Sequence, residues 1–312
     1  HYFENIFING YIGVDIFFVI SGFVISKSLN EKFQKNSFRL FILNFFYKRI
    51  KRILPVLVTV VLTSSFLFYF LNPRPAQDIF ATGGFGILGL SNFFLFFRDA
   101  DYFFINSQIN IFSHLWSLSI EEQYYLIYPF LIYFLLKNFS HFKVLILSLI
   151  TIVFIIISHI NNFSNIANFY LIHFRAYELL VGCVVFFIKR EFFQTKKIIY
   201  FIIFFLSIVS IFYLTFHGFS NYKTNQLLSV FSAAIFLFYF DKYKINFFTL
   251  FLRNKLLIFI GSISYSLYLW HWPIYVLTTH LLGRNIYILI ISIIFSLTVS
   301  VISYMYVEKY FM

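Results

Sequence analysis

Cysteine is almost missing from this sequence of 312 residues. Cys183 stands alone, so no disulfide can close within the chain. No C-x-x-C pair and no His/Cys cluster occurs, so the usual sequence signs of a metal site are lacking. Charge is scarce as well. Only 12% of residues are Asp, Glu, Lys or Arg, against ~25% in soluble domains. The chain shows no signal peptide, no internal repeat and no soluble segment. It opens on His1 instead of Met, and the N-terminus reads as cut.

What is present is apolar. Hydrophobic residues make up 61% of the chain, with 50 Phe and a mean hydropathy of +0.84. Apolar runs near the ~20 residues needed to cross a bilayer recur throughout. They lack the alternation of ~10-residue barrel strands. The expectation is an all-α polytopic membrane helix bundle, a single integral membrane domain over 1–312. Nine helices are expected, at 11–29, 53–72, 119–136, 144–160, 171–188, 198–216, 227–241, 256–281 and 287–307, with a basic loop over 27–52.

The net charge of +12 would point to nucleic acid in a soluble protein. In a membrane chain it sets topology. The partner expected is therefore the lipid bilayer, with no nucleic acid. Residues 79–97 are long enough to cross but carry glycines at 83, 84, 86 and 89. If they do not cross, nineteen of the 24 lysines and arginines share one side. If they do, every later loop changes sides. The segment 79–118 is thus expected as a re-entrant or interfacial excursion on the outer face.

With that topology, a rise of ~1.5 Å per residue places polar groups by depth. Asp15, Glu121, Glu122, Arg175, Glu178 and His271 fall in the outer layer, and His1 precedes the first helix outside. Ionisable groups in a bilayer usually mark a working site. The stretch HLWSLSIEEQYYLIYP (114–129) brings two adjacent carboxylates to the head of an apolar run. Structural roles compete with function here. Ser119 and Glu122 fit a capping box, and Arg175 and Glu178, three apart, can neutralise each other. On the inner face, YKRIKRILP (47–55) places Arg49 and Arg52 on one helical face. Paired guanidinium forks suit phosphate oxygens. The picture is an enzyme that takes a group from a phosphorylated cytoplasmic donor and passes it to an acceptor outside.

The chain resembles acyltransferase family 3, bacterial membrane enzymes that O-acylate cell-surface glycans. The resemblance rests on GYIGVDIFFVISGFVIS (10–26), YKRIKRILP (47–55), LSNFFLF (90–96), HLWSLSIEEQYYLIYP (114–129), FRAYELLVG (174–182), GSISYSLYLWHWPI (261–274) and YVEKY (306–310). These run in family order over nearly the whole chain. HLWSLSIEEQYYLIYP and SISYSLYLWHWPI are the specific signals among them.

The resemblance implies a bacterial inner-membrane enzyme. It would move an acyl group, acetyl in most members, from acyl-CoA as co-substrate to a sugar hydroxyl. No bound cofactor or metal is implied. His1 aligns with the family's presumed base, oriented by Asp15, Glu121 or Glu122, and a covalent acyl-histidine is a variant. Arg49 and Arg52 would bind the donor. His114, Trp116, Arg175, Glu178, Tyr268 and His271 would form the acceptor site. The family's first helix, with its Arg, is expected to be missing. Many relatives add a further helix and a periplasmic SGNH domain, which this chain does not contain. The acceptor stays open among lipopolysaccharide O-antigen, exopolysaccharide, peptidoglycan and a small glycoside. No H-x-x-x-x-D and no G-x-S-x-G occurs, which speaks against a glycerolipid acyltransferase and a serine esterase. The rival class is a transporter or flippase of a lipid-linked saccharide. Transporters often show repeated halves, and none is found.

Overall fold

The computed structural model describes residues 9–33, 37–71, 77–98, 110–160, 164–188, 197–243 and 253–311. Among these residues the chain is helical, with no strand. The helices are α1 (Ile12–Phe33), α2 (Phe38–Leu71), α3 (Gln77–Ile87), α4 (Ser91–Phe97), α5 (Leu115–Asn138), α6 (Lys143–Ile160), α7 (Asn165–Tyr170), α8 (Ile172–Phe187), α9 (Lys197–Phe216), α10 (Tyr222–Tyr243), α11 (Lys255–Leu282) and α12 (Ile286–Ser303). A π-helical turn (Tyr304–Glu308) extends α12. This is an all-α membrane bundle. Four stretches are long and apolar enough to cross a membrane: Ile12–Phe33, Phe38–Leu71, Asn165–Phe187 and Ile286–Phe311.

Large apolar side chains stay exposed on the helices, among them Phe66, Phe70, Ile127 and Ile294. In water they would form an oversized apolar patch. In a bilayer they face lipid.

The expected basic loop at 27–52 is largely helix. Residues 27–33 complete α1, and α2 starts at Phe38. Residues 38–54 hold no glycine or proline, and good helix formers continue the ladder upstream of the apolar run. Pro55 sits inside α2. The Thr59 hydroxyl donates to the Pro55 carbonyl at 2.8 Å. The other expected helices appear with shifts of a few residues at their ends. Asn254 and Asn285 cap α11 and α12, their side chains accepting from Leu256 N at 2.9 Å and Tyr287 N at 3.4 Å.

The chain divides into two compact units. Unit 1 comprises His1–Phe41, Ile127–Phe163 and Ile172–Phe251. Within it α8 packs against α1, α6 and α10, and α10 packs against α9. Its core is Val19, Tyr177, Val181, Val230, Ala233 and Ala234. Gly22 and Gly182 let α1 and α8 meet backbone to backbone. A Cβ on Gly22 would lie 1.9 Å from the Leu179 carbonyl oxygen, and one on Gly182 2.0 Å from that of Val19.

Unit 2 comprises Ile42–Leu126, Ser164–Leu171 and Leu252–Met312. Here α11 packs along α12, and α4 packs against α3 and α7. Helix α3 has eleven residues, a length of ~16 Å. That is too short for a hydrocarbon core of ~30 Å, in keeping with the charge argument. Two of its three glycines serve packing: Gly83 sits under the Phe112 ring and Gly86 under Leu115, while Gly84 meets open space. Gly89, at φ 69°, ends the segment in the left-handed region.

Candidate functional site

The polar residues singled out in the sequence fall into two clusters, one in each unit. His1 lies outside the described residues.

In unit 2 the cluster is drawn from α2, α5, α11 and the turn before α5. Trp116, Glu121 and Glu122 ride on α5, and Tyr268 and His271 on α11. Glu121 is buried at 5% exposure, and its Oε1 accepts a hydrogen bond from the Tyr125 hydroxyl one turn on. The Tyr125 ring in turn lies under Arg49, whose guanidinium carbon is 5.0 Å from the ring centroid and 5.7 Å from that of Phe45. Arg49 is half-buried and Arg52 exposed.

The depth reading from sequence put Arg49 and Glu121 at opposite faces. In the structure one tyrosine touches both. Both helices begin ahead of their apolar runs, so Arg49 lies eleven residues inside α2 and Glu121 six residues inside α5.

Glu122 is half-buried, and its carboxylate lies against Gly89, where a Cβ would come within 2.6 Å of Oε2. It does not close a capping box, because α5 starts at Leu115 and Ser119 is already inside it. Ser119 instead ties α5 to α4: its Oγ accepts from Ser91 N at 3.1 Å and is 2.8 Å from Ser91 Oγ. Gln123 continues the tie, donating to the Gly89 carbonyl and to Asn92 Oδ1, each at 2.8 Å.

His114 is buried in the turn before α5, with ring centroids 5.5 Å from Tyr268 and 5.6 Å from His271. Burial, followed by the neighbouring His271, holds the His114 imidazole well below the usual histidine range. It is therefore neutral at pH ~7. The Tyr268 hydroxyl donates to the His114 carbonyl at 2.6 Å and also meets Ser117 Oγ. His271 Nδ1 is 2.6 Å from the Tyr268 carbonyl oxygen. Trp116 is buried against Phe169 and Tyr170, at 4.4 and 5.9 Å between centroids.

Three residues join this cluster that sequence reasoning left unassigned. Tyr125 bridges Arg49 and Glu121. The Tyr265 hydroxyl donates to the Ile53 carbonyl at 2.9 Å, and its phenol feels the charges of Glu122, Glu121, Glu308 and Arg52. Glu308, on the π-helical turn, is buried and accepts from Ser266 Oγ at 2.7 Å. An acidic residue beside the long apolar run of α12 was the signal that could have found it.

In unit 1 the cluster is an ion-pair network. Arg175 Nη1 donates to Asp15 Oδ1 at 2.8 Å and to Glu178 Oε1 at 3.0 Å. Ser229 Oγ donates to Asp15 Oδ2 at 3.1 Å, and Gln226 Nε2 to Glu178 Oε1 at 2.5 Å. All three charged residues are fully buried.

Chemically, unit 2 offers two cationic anchors for anionic groups, with carboxylates, phenols and imidazoles that can hold and move protons. Unit 1 offers a fully buried ion-pair network.

Comparison with known proteins gives one family. The acyltransferase 3 model, described as an acyltransferase domain, matches residues 1–305. The O-acetyltransferase OatA of Staphylococcus aureus is 32% identical over 323 residues, covering 96% of this chain and 52% of that protein. The peptidoglycan O-acetyltransferase OatA of Listeria monocytogenes is 27% identical, covering 96% of this chain and 51% of its own length. An uncharacterized protein of Haemophilus influenzae is 35% identical over 55% of this chain and 73% of its own. The chain spans about half the length of the two acetyltransferases it matches. No solved structure matches it.

Proposed function

Because the chain belongs to the acyltransferase 3 family, we propose that it carries out the membrane step of a glycan O-acetylation, moving an acetyl group from acetyl-CoA to a sugar hydroxyl outside the cytoplasm. The hydroxyl oxygen attacks the thioester carbonyl, the carbon–sulfur bond breaks, and the hydroxyl proton ends on the coenzyme thiolate. The names of the relatives, O-acetyltransferase and peptidoglycan O-acetyltransferase, support acetyl as the group and peptidoglycan as the acceptor, ahead of lipopolysaccharide and exopolysaccharide.

One observation carries this reading: the guanidinium of Arg49 lies over the ring of Tyr125, whose hydroxyl is bonded to Glu121. A cationic anchor for donor phosphate and a carboxylate for acid/base work thus share one aromatic ring. Arg52, one turn from Arg49, is exposed and free to swing onto a second phosphate. His1 is the proposed general base, with an imidazole suited to neutral pH. His114, Trp116, Tyr268 and His271 line the acceptor side, where hydroxyl-bonding groups beside aromatic faces suit a sugar. Asp15, Arg175 and Glu178 are assigned to the frame of unit 1, since Arg175 ties a carboxyl of α1 to one of α8 in a fully buried setting.

The test is transfer of label from radiolabelled acetyl-CoA to peptidoglycan in membranes carrying the protein. Label in the glycan, lost in His1→Ala, is expected. Label that persists in His1→Ala removes the base assignment. No label at all, with protein present in the membrane, favours the carrier reading.

A further inference from the structure

Unit 1 buries three charged side chains that do not sum to zero. Asp15 and Glu178 are 0% exposed and Arg175 1%. A single guanidinium serves two carboxyl groups, at 2.8 and 3.0 Å. Among the described residues no second cation faces them. Lys223, on α10, is turned to the Ser158 carbonyl, which its Nζ meets at 3.1 Å. His159, on α6, keeps its Nδ1 3.0 Å from the Ile155 carbonyl oxygen. The other titratable groups around the cluster are phenols: Tyr11 before α1, Tyr177 on α8 and Tyr222 on α10. Two ionised carboxylates would leave one negative charge uncompensated in an apolar interior, which is strongly unfavourable.

We propose that this cluster is a proton-binding site, and that Glu178 Oε2 carries the proton at neutral pH. Hydrogen bonding selects the carboxyl. Asp15 has a donor on each oxygen, Arg175 on Oδ1 and Ser229 on Oδ2. That is the setting of a carboxylate. Glu178 receives Arg175 and Gln226 on Oε1, while Oε2 is buried and has no hydrogen-bond partner. A carboxyl oxygen that no donor faces is the one on which a proton is least opposed, and once protonated it becomes a donor itself. Acceptors stand by: the hydroxyls of Tyr177 and Tyr222 are both buried without a hydrogen-bond partner. With one proton bound, the Asp15–Arg175 pair and the neutral acid form an electroneutral set. No other bond changes. The site is independent of acyl transfer and survives if that reading fails.

Infrared difference spectroscopy of the full chain in lipid nanodiscs near neutral pH tests this. The wild type is expected to show the C=O stretch of a protonated carboxylic acid, shifted by deuterium and by 13C-glutamate labelling. Glu178→Gln and Asp15→Asn each leave a single carboxyl facing Arg175, so each alone is expected to remove that band. Either variant suffices if the other does not fold. A wild-type spectrum that neither substitution changes overturns the proposal. So does a lost band that is insensitive to 13C-glutamate labelling, because the proton would then sit on Asp15.

Discussion

Arg175 is the residue on which unit 1 depends most. Its guanidinium holds a carboxyl from α1 and another from its own helix. Removing it leaves both acids buried without a cation. Arg175→Ala is expected to destabilise by about 3–5 kcal/mol, the cost of breaking a buried pair by deleting one partner. The readout is the melting temperature in detergent. Arg175→Lys restores little, since a point charge cannot reproduce the planar fork.

In unit 2, His114 makes a pH prediction. Its folded-state value lies below the ordinary histidine value of ~6.5. As pH falls, the unfolded chain takes up a proton that the native one refuses. The stability His114 contributes is thus complete above pH ~6.5 and is lost as pH drops below it. The melting temperature should decline with acidification, and His114→Gln should flatten that decline.

At the scale of elements, the meeting of α1 and α8 is set by two glycines. Gly22 and Gly182 each approach a carbonyl of the facing helix so closely that a Cβ has no room. Small residues are what let membrane helices pack backbone to backbone. Gly182→Ala is expected to push α8 off α1 and stretch the Arg175–Asp15 contact. The loss in melting temperature should be large for a single methyl and should not add to that of Arg175→Ala when the two are combined. Additive losses would show that the glycine contact and the ion pair act separately.

On α2, Arg49→Lys keeps charge and loses the guanidinium over the Tyr125 ring. It is expected to raise KM for acetyl-CoA several-fold with little effect on kcat. Tyr125→Phe keeps the ring and removes one hydrogen bond from Glu121, so its loss should fall on kcat. Equal changes in KM and kcat for both variants would sink the division of labour.

For the whole molecule, each unit keeps its own polar cluster, and the two clusters differ in kind. One is fully buried and holds two carboxyls on one arginine. The other has an exposed arginine and half-buried acid and imidazole groups. Substitutions in the first are expected to change the amount of folded protein, and those in the second to change turnover per folded protein. Measuring label transfer against the folded fraction for Asp15→Ala and Glu121→Gln separates the two.

Composition and the spacing of apolar runs determined the class of this protein, because continuous apolar runs of ~20 residues satisfy their backbone in lipid as helices, whereas barrel strands alternate over ~10 residues. Motif order along the chain pointed to its family. Arg175 and Glu178 were legible as a pair from a spacing of three. The extent of α2 was not legible, because basic residues ahead of an apolar run read as a loop while their helix propensity is good. The capping role of Ser119 was misjudged for a similar reason: the helix signal began at the apolar run, and the helix itself begins at Leu115. The partner of Arg175 on α1, the bridge of Tyr125 between Arg49 and Glu121, and the bond between Glu308 and Ser266 were decided only by tertiary structure. Tyr125 and Glu121 are one turn apart, but the other contacts join residues on different helices, and which of several available charges a buried group pairs with depends on packing alone.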